Sequence, residues 1–382
     1  MKWMITDRFR RKRIIFFFGC LELGGAERQG LMLAEYMMSE LGAEVQVWGF
    51  HGPGKVAALC EEKGIPWNVV ELPLAGSRYG LPGRWARFIR RLREARADIL
   101  LPYTMIPNVV CGLAWKLAGA KLCVWSQRDE GLERQARWLE YLSTRMIHSF
   151  VANSSGSARF LAESMKVPQG RIRTIHNGVS LPSPSCSRKE WRVRLSAHED
   201  ELLVAMIGNI SPFKDHPTLV VAWRQVLDSF HGRAKLLLAG NQLNVKRVDE
   251  VKRLVSSAGV DNSVIFLDRI DDIAGFLNAI DLVVHASKSE GLSNAVLEAM
   301  AAGRAVVGSD IPGLREVLGN TGVYVPVGNE KALATAIVQL LENENERSRL
   351  GDRNRSAAQN EFSSRRMCEQ TVEFLDASWR EA

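Results

Sequence analysis

No stretch of the 382 residues reaches the roughly 18 consecutive apolar positions that a membrane-spanning helix needs. Cysteine is scarce. The six are Cys20, Cys60, Cys111, Cys123, Cys186 and Cys368, none in a Cys-x-x-Cys pair, and no Cys/His cluster has zinc spacing. A chain of this length holds a core without disulfides, so reduced thiols in a cytosolic protein are expected. There is no Asp-x-Asp pair and no His cluster, which leaves no evident divalent-metal site. No nucleic-acid reading motif is present. Low-complexity tracts are absent, and 46% hydrophobic with 24% charged residues excludes a collagenous or largely disordered chain.

What is there begins with length and charge. The size predicts two domains. The net charge of +7 is not shared evenly. Residues 1–180 hold 26 Lys and Arg against 16 Asp and Glu, a net of +10; residues 181–382 hold 24 against 27, a net of −3. The excess gathers in Arg10-Arg11-Lys12-Arg13 and in Arg84, Arg87, Arg90, Arg91, Arg93 and Arg96. Such a half calls for an anionic partner of its own. The basic start followed by Ile14–Phe18 imitates a signal peptide. No small-x-small cleavage site follows, so a basic tail before a buried strand is expected.

Short apolar runs alternate with amphipathic stretches throughout. Ile14–Phe18, Val45–Gly49, Ile99–Leu101, Leu122–Trp125 and Phe150–Ala152 read as buried strands, with helices at Glu27–Leu41 and Arg84–Arg96. Leu181-Pro182-Ser183-Pro184-Ser185 reads as an extended linker. The rhythm then restarts, with strands at Leu202–Ile207, Ala234–Ala239, Val264–Leu267, Leu282–His285, Ala305–Gly308 and Gly322–Val325, and helices at Thr218–Phe230 and Asn294–Ala302. This predicts two doubly wound α/β domains, with ligands at the carboxyl ends of their strands and in a cleft between them. The segment from Glu361, with Phe362, Met367, Val372, Phe374, Leu375 and Trp379, has the apolar periodicity of a packed helix.

The most informative stretch is SKSEGLSNAVLEAMAAG, residues 287–303. Glu290 falls in the loop after the strand Leu282–His285. Ser293 or Asn294 is placed to cap the next helix, and Gly303 to end it in a left-handed turn. Glu298 lies about one turn inside, on the face of Asn294. Two carboxylates can thus reach one ligand at two depths. The N–H groups of Gly291, Leu292, Ser293 and Asn294 favour an anion such as a diphosphate beside them.

Here the chain resembles the family 4 retaining glycosyltransferases of GT-B architecture, whose signature is two glutamates separated by seven residues. Three further stretches resemble the family in order: GNISPFKDHPTLV (208–220), GGAERQ (24–29) and HNGV (176–179). The likeness runs over roughly residues 14–380 and is densest at 205–320. It implies an N-terminal acceptor-binding domain over 1–180 and a nucleotide-sugar-binding domain over 181–361. A C-terminal helix over 362–382 would return to the first domain. It also implies retaining, metal-independent transfer of a sugar from a nucleotide diphosphate donor, UDP- or GDP-linked, with no cofactor. Glu290 would contact the transferred sugar and Glu298 the ribose. Lys214 would hold the diphosphate and Gly24 and Gly25 would approach it. Arg269 and Ile270 would border the base and phosphates.

Two departures from the family stand out. Asn209 replaces the Arg that relatives usually carry just after the first strand of the second domain. Loops 102–108 (PYTMIPN) and 126–131 (SQRDEG) lack the usual His, which shifts its contact to Arg128 and Asp129. The expected acceptor is a glycan or lipid-linked glycan in polysaccharide or lipopolysaccharide assembly. Arg84, Arg87 and Arg91 read as one helical stripe and Trp85, Phe88, Ile89 and Leu92 as the other. This offers a peripheral contact with an anionic membrane at the inner face. A nucleotide-sugar 2-epimerase, a sugar phosphorylase and a non-catalytic nucleotide-sugar binder are the competing readings. The Glu290/Glu298 motif and the Lys214 turn fit transfer better.

Overall fold

The computed structural model describes residues 7–76, 78–131 and 137–381. The chain forms two units, Met1–Gly178 with Ser364–Ala382, and Val179–Ser363.

In the first unit β1 (Arg13–Phe18), β2 (Glu44–Gly49), β3 (Trp67–Val69), β4 (Ile99–Pro102), β5 (Leu122–Gln127), β6 (Ser149–Ala152) and β7 (Ile172–Thr174) form one parallel sheet. Its order is β3-β2-β1-β4-β5-β6-β7. The direction of winding reverses between β1 and β4, which leaves a crevice at their carboxyl ends. β1 shows why its sequence is apolar at every position after Arg13: Ile14, Phe16 and Phe18 enter the core on one face, Ile15 and Phe17 the core on the other. The edge strands β3 and β7 are only three residues long and half polar, so no apolar run announces them.

The helix Leu81–Ala95 corrects the two-stripe reading. Arg84 is buried with Phe88 and Leu92 on the packed face, and its Nε donates to Pro73 O at 3.3 Å. Trp85 and Ile89 pack against the same core. The aromatic side of this helix is therefore internal. The outward arginines are partly engaged: Arg87 with Glu71 at 2.8 Å, Arg90 with Glu94 at 3.8 Å, and Arg93 with Leu117 O at 2.8 Å.

The helix Ser364–Glu381 contributes Met367, Cys368, Val372 and Leu375 to the core that also contains Phe16, Met37 and Leu41. Arg8 pairs with Asp376 at 2.7 Å, while Lys12 and Lys121 both stand over the Trp379 ring, at 4.8 and 4.4 Å. Part of the basic run near the start of the chain is thus used to fasten its last helix.

In the second unit β8 (Leu202–Ile207), β9 (Ala234–Ala239), β10 (Val264–Leu267), β11 (Leu282–His285), β12 (Val306–Ser309) and β13 (Val323–Val325) are likewise all parallel. Their order is β10-β9-β8-β11-β12-β13, which puts the winding switch between β8 and β11. Val204 and Met206 face one core, Leu203 and Ala205 the other. The Pro/Ser stretch read as a linker lies inside this unit: Ser185 N and Cys186 N donate to Asp272 Oδ1 and Oδ2 at 3.1 and 3.0 Å. Local composition there signals extended backbone, and a carboxylate 86 residues away in sequence pins it.

Candidate active site

The loops after β8 and β11 meet at the switch of the second sheet. Lys214 and Ser287 form an antiparallel bridge. Lys288 N donates to Phe213 O at 2.8 Å and Asp215 N to Ala286 O at 2.9 Å. Ser287 is held in turn by Ser309 at the end of β12, whose Oγ accepts from Ser287 N at 2.9 Å. Backbone pairing thus fixes where Lys214 stands before its side chain does anything.

That side chain forms an ion pair with Glu290 Oε1. Lys214 Nζ also lies 2.9 Å from His285 Nε2, and His285 Nε2 lies 3.1 Å from Glu290 Oε1. Ser287 Oγ donates to the same carboxylate oxygen at 3.1 Å. Burial favours a protonated Glu290, yet the Lys214 ammonium beside it outweighs burial and holds the carboxyl well below the usual carboxylate range. Glu290 is therefore an anion at any working pH, suited to accepting from hydroxyls. Burial, reinforced by Lys214, keeps His285 neutral. The same two causes lower its neighbour His216 to about 4.

Ser293 occupies the N-cap position of the helix Asn294–Ala301, but its side chain makes no cap bond. Its Oγ stands 3.2 Å from His285 Nε2 instead. Leu292 is buried in the adjoining core, Glu298 is buried, and Gly303 has φ +68 just past the helix end. A Cβ on Gly313 would lie 2.3 Å from Glu290 O and 2.4 Å from Gly291 O, so only glycine lets the helix Pro312–Leu318 back the Glu290 loop. Asn209 Oδ1 accepts from Asn241 N at 3.1 Å and ties the loop after β8 to the loop after β9. Ile270 packs on the core, which leaves its backbone as its polar group, and Arg269 lies 3.7 Å from Asp271.

The first unit has its own constellation at the β1/β4 switch. Gly24 is the N-cap of the helix Gly25–Leu41 and no side chain caps it. Gln29, from the same GGAERQ turn, is buried; its Nε2 donates to Gly178 O and its Oε1 accepts from Gly178 N, both at 2.9 Å. GGAERQ and HNGV are thereby joined across 149 residues. Arg128 stacks 4.5 Å from the Tyr103 ring centre and donates to Asn177 Oδ1 at 3.1 Å. Burial raises the Glu27 carboxyl, opposed by backbone N–H groups and by Arg128. Asp129 braces its own loop: Oδ1 accepts from Gly131 N at 2.7 Å and from Gln127 Nε2 at 3.1 Å.

The structure thus brings together Lys214, Glu290 and the loop from Gly291 to Asn294 in one unit, and Gly24, Gly25 and Arg128 in the other. It adds His285, Ser287, Ser309 and Gly313 to the first set and Gln29, Tyr103 and Asn177 to the second. Gln29, Asn177 and Ser287 lie inside the stretches GGAERQ, HNGV and SKSEGLSNAVLEAMAAG, and Gly313 stands in a Pro-Gly step, whereas His285, Ser309 and Tyr103 carry no local sequence signal. Among the described residues no three His, Cys, Asp or Glu side chains gather as a metal site, and no helix is long and apolar enough to cross a membrane.

Known proteins match both halves. Residues 201–343 match the model described as "Glycosyl transferases group 1", and residues 23–182 that of "Glycosyltransferase Family 4". The N-acetyl-alpha-D-glucosaminyl L-malate synthase of Bacillus anthracis is 29% identical over 294 residues, 72% of this chain and 73% of that one. The lipopolysaccharide core biosynthesis glycosyltransferase LpsE of Rhizobium meliloti is 27% identical over 186 residues, 48% of this chain and 52% of that one. For several other curated relatives, too, the match spans only about half of the relative's length. Anabaena HepE, solved in complex with UDP and glucose, superposes with a TM-score of 0.84 at 22% identity, over 96% of this chain and all of that one. That likeness and the two doubly wound sheets show the GT-B α/β fold. With one family model over each unit, the chain belongs to the group 1, family 4 glycosyltransferases.

Proposed function

We propose that this protein is a retaining, metal-independent glycosyltransferase. It would move a sugar from a UDP- or GDP-linked donor to a glycan or lipid-linked glycan in cell-surface polysaccharide or lipopolysaccharide assembly. One observation carries the reading: a lysine ammonium and an ionised glutamate sit side by side at the winding switch of the second sheet. That pairing suits a donor with two chemically distinct ends. The diphosphate needs a cation and the sugar hydroxyls need an acceptor.

In this reading the bond from the anomeric carbon to the diphosphate breaks, and its electron pair leaves on the phosphate oxygen. Lys214, assisted by the Gly291–Asn294 backbone and Arg269, neutralises that charge. The acceptor oxygen bonds to the anomeric carbon from the same face and gives its proton to the departing phosphate. Glu290 holds hydroxyls of the sugar and Glu298 those of the ribose. The backbone at Asn209 and Ile270 borders the nucleotide. Gly24 and Gly25 allow close backbone approach, and Arg128 contacts the sugar or acceptor, with Asp129 keeping its loop in place. The outward arginines of the first unit would meet an anionic membrane surface where the acceptor resides, placing the enzyme at the cytoplasmic face.

The N-acetyl-alpha-D-glucosaminyl L-malate synthase supports sugar transfer by its name, and the lipopolysaccharide core biosynthesis glycosyltransferase supports the polysaccharide setting by its own. HepE supports it by its UDP and glucose. The test is a panel of nucleotide-sugars with a bacterial membrane extract, with and without chelator, followed by NMR of the product's anomeric configuration. Sugar transfer with the donor's configuration, unaffected by chelator, is the expected result. Inversion, chelator sensitivity, or isomerisation of the donor without an acceptor would each overturn part of it.

A further inference from the structure

His285 is a buried titratable group at this site to which the proposed mechanism gives no task, and it touches both charges of the Lys214–Glu290 pair. It ends β11, where Leu282, Val283 and Val284 precede it, and its side chain is fully buried. An apolar residue would suit that place better. Among the described residues its Nδ1 has no hydrogen-bond partner, so the imidazole carries the cost of a buried, unsatisfied polar atom. The other ring nitrogen is crowded. Nε2 has Lys214 Nζ at 2.9 Å, Glu290 Oε1 at 3.1 Å and Ser293 Oγ at 3.2 Å.

The chemistry of these groups orders the contacts. A lysine ammonium has three donors and no acceptor, so a nitrogen facing it at 2.9 Å must present its lone pair. The ring proton then sits on Nδ1, the atom without a partner. One N–H of Lys214 goes to His285 and one to Glu290, which leaves a third. A lysine side chain has four rotatable bonds and no preferred aim of its own. Two fixed acceptors, one on the rigid end of β11 and one on the following loop, define where the third N–H points.

We propose that His285 is a positioning residue for sugar transfer: its Nε2 anchors the Lys214 ammonium beside Glu290 so that the remaining N–H is offered to the donor diphosphate. The inference rests on the transferase reading above. The burial that keeps the imidazole neutral agrees with it, since a protonated ring would repel the lysine.

Three variants test it, each compared with wild type for steady-state transfer and for thermal unfolding. His285→Leu fills the space and removes the orphaned nitrogen. It should unfold at or above the wild-type temperature, yet lose about 10²-fold in kcat with little change in donor KM. His285→Gln places an amide oxygen near the position of Nε2 and should recover kcat to within about tenfold. His285→Asn is too short and should stay as slow as the leucine variant. A leucine variant with wild-type kcat overturns the inference. So do three variants whose activity simply follows their loss of thermal stability. Wild-type protein that transfers no sugar to any acceptor overturns the transferase reading instead, and this inference with it.

Discussion

The two units solve the same geometric problem with opposite amounts of bracing. In the second, the ends of β8 and β11 are laced by backbone bonds, and a charged pair is locked between them, with Ser287 on its carboxylate and His285 beside both charges. In the first, the β1/β4 switch holds an uncapped helix start, a glutamate raised by burial and one arginine resting on a tyrosine. UDP- and GDP-linked sugars share a diphosphate and a ribose, so under the proposed function a fixed frame would serve them. In the first unit Arg128 is held by one ring face and one amide, Tyr103 and Asn177, and a substitution at either should change what it recognises.

Lys214→Met should break the comparison hardest. Removing the cation aimed at the leaving group should cost about 10²–10³ in kcat, or about 3–4 kcal/mol, while equilibrium stability falls far less. Steady-state kinetics with a chemical melt on the same samples checks both. Equal losses in the two would make Lys214 a structural cation.

The bracing of the second unit should also show in its response to acid. His216 is buried with a pKa near 4, against about 6.5 in an unfolded chain. Between those values the unfolded state binds a proton that the folded state refuses, so stability falls as pH drops from 6.5 to 4. The loss is on the order of 3 kcal/mol. Urea midpoints across that range should decline in wild type and decline less in His216→Leu. Parallel slopes would show the imidazole charging without cost.

Arg128→Ala should raise the acceptor KM about tenfold, in line with the loss of one charge-assisted hydrogen bond, and leave donor affinity unchanged. A thermal-shift titration with the donor beside acceptor kinetics separates the two. An effect on donor affinity equal to that of Glu298→Ala would move Arg128 to the donor side.

The smallest effect concerns the basic surface. Arg87→Ala with Arg91→Ala should change stability by less than about 0.5 kcal/mol per site. The pair should nonetheless weaken binding to anionic vesicles in a salt-dependent way. Vesicle binding that ignores both the substitutions and the salt would remove the membrane from the account.

Much of this was legible in the sequence. The strands Leu202–Ile207, Ala234–Ala239, Val264–Leu267 and Leu282–His285 have the bounds that their apolar runs suggest, because a strand buried on both faces admits little else. The Glu290 loop and the Gly303 helix end were legible for a similar reason: local chemistry dictates them. Three kinds of feature were not. Edge strands such as Ile172–Thr174 lie beside solvent and need no apolar pattern. Arg84 sits at a polar letter but at a buried angle, since a long side chain can lie along the core and end on a carbonyl. His285 and Gln29 act on partners that only the fold brings near. As letters, one closes a strand and the other belongs to a helix.

The closing helix sets an order on synthesis. The core of the first unit contains Met367, Cys368, Val372 and Leu375 as well as Phe16 and Phe18. Residues 179–363 can complete their own sheet as soon as they leave the ribosome. The unit that is translated first must wait, with part of its apolar surface uncovered, until the helix Ser364–Glu381 emerges. A chain stalled with residues up to 363 outside the exit tunnel and 364–381 still inside it should therefore carry a protease-resistant second unit and a protease-sensitive first one.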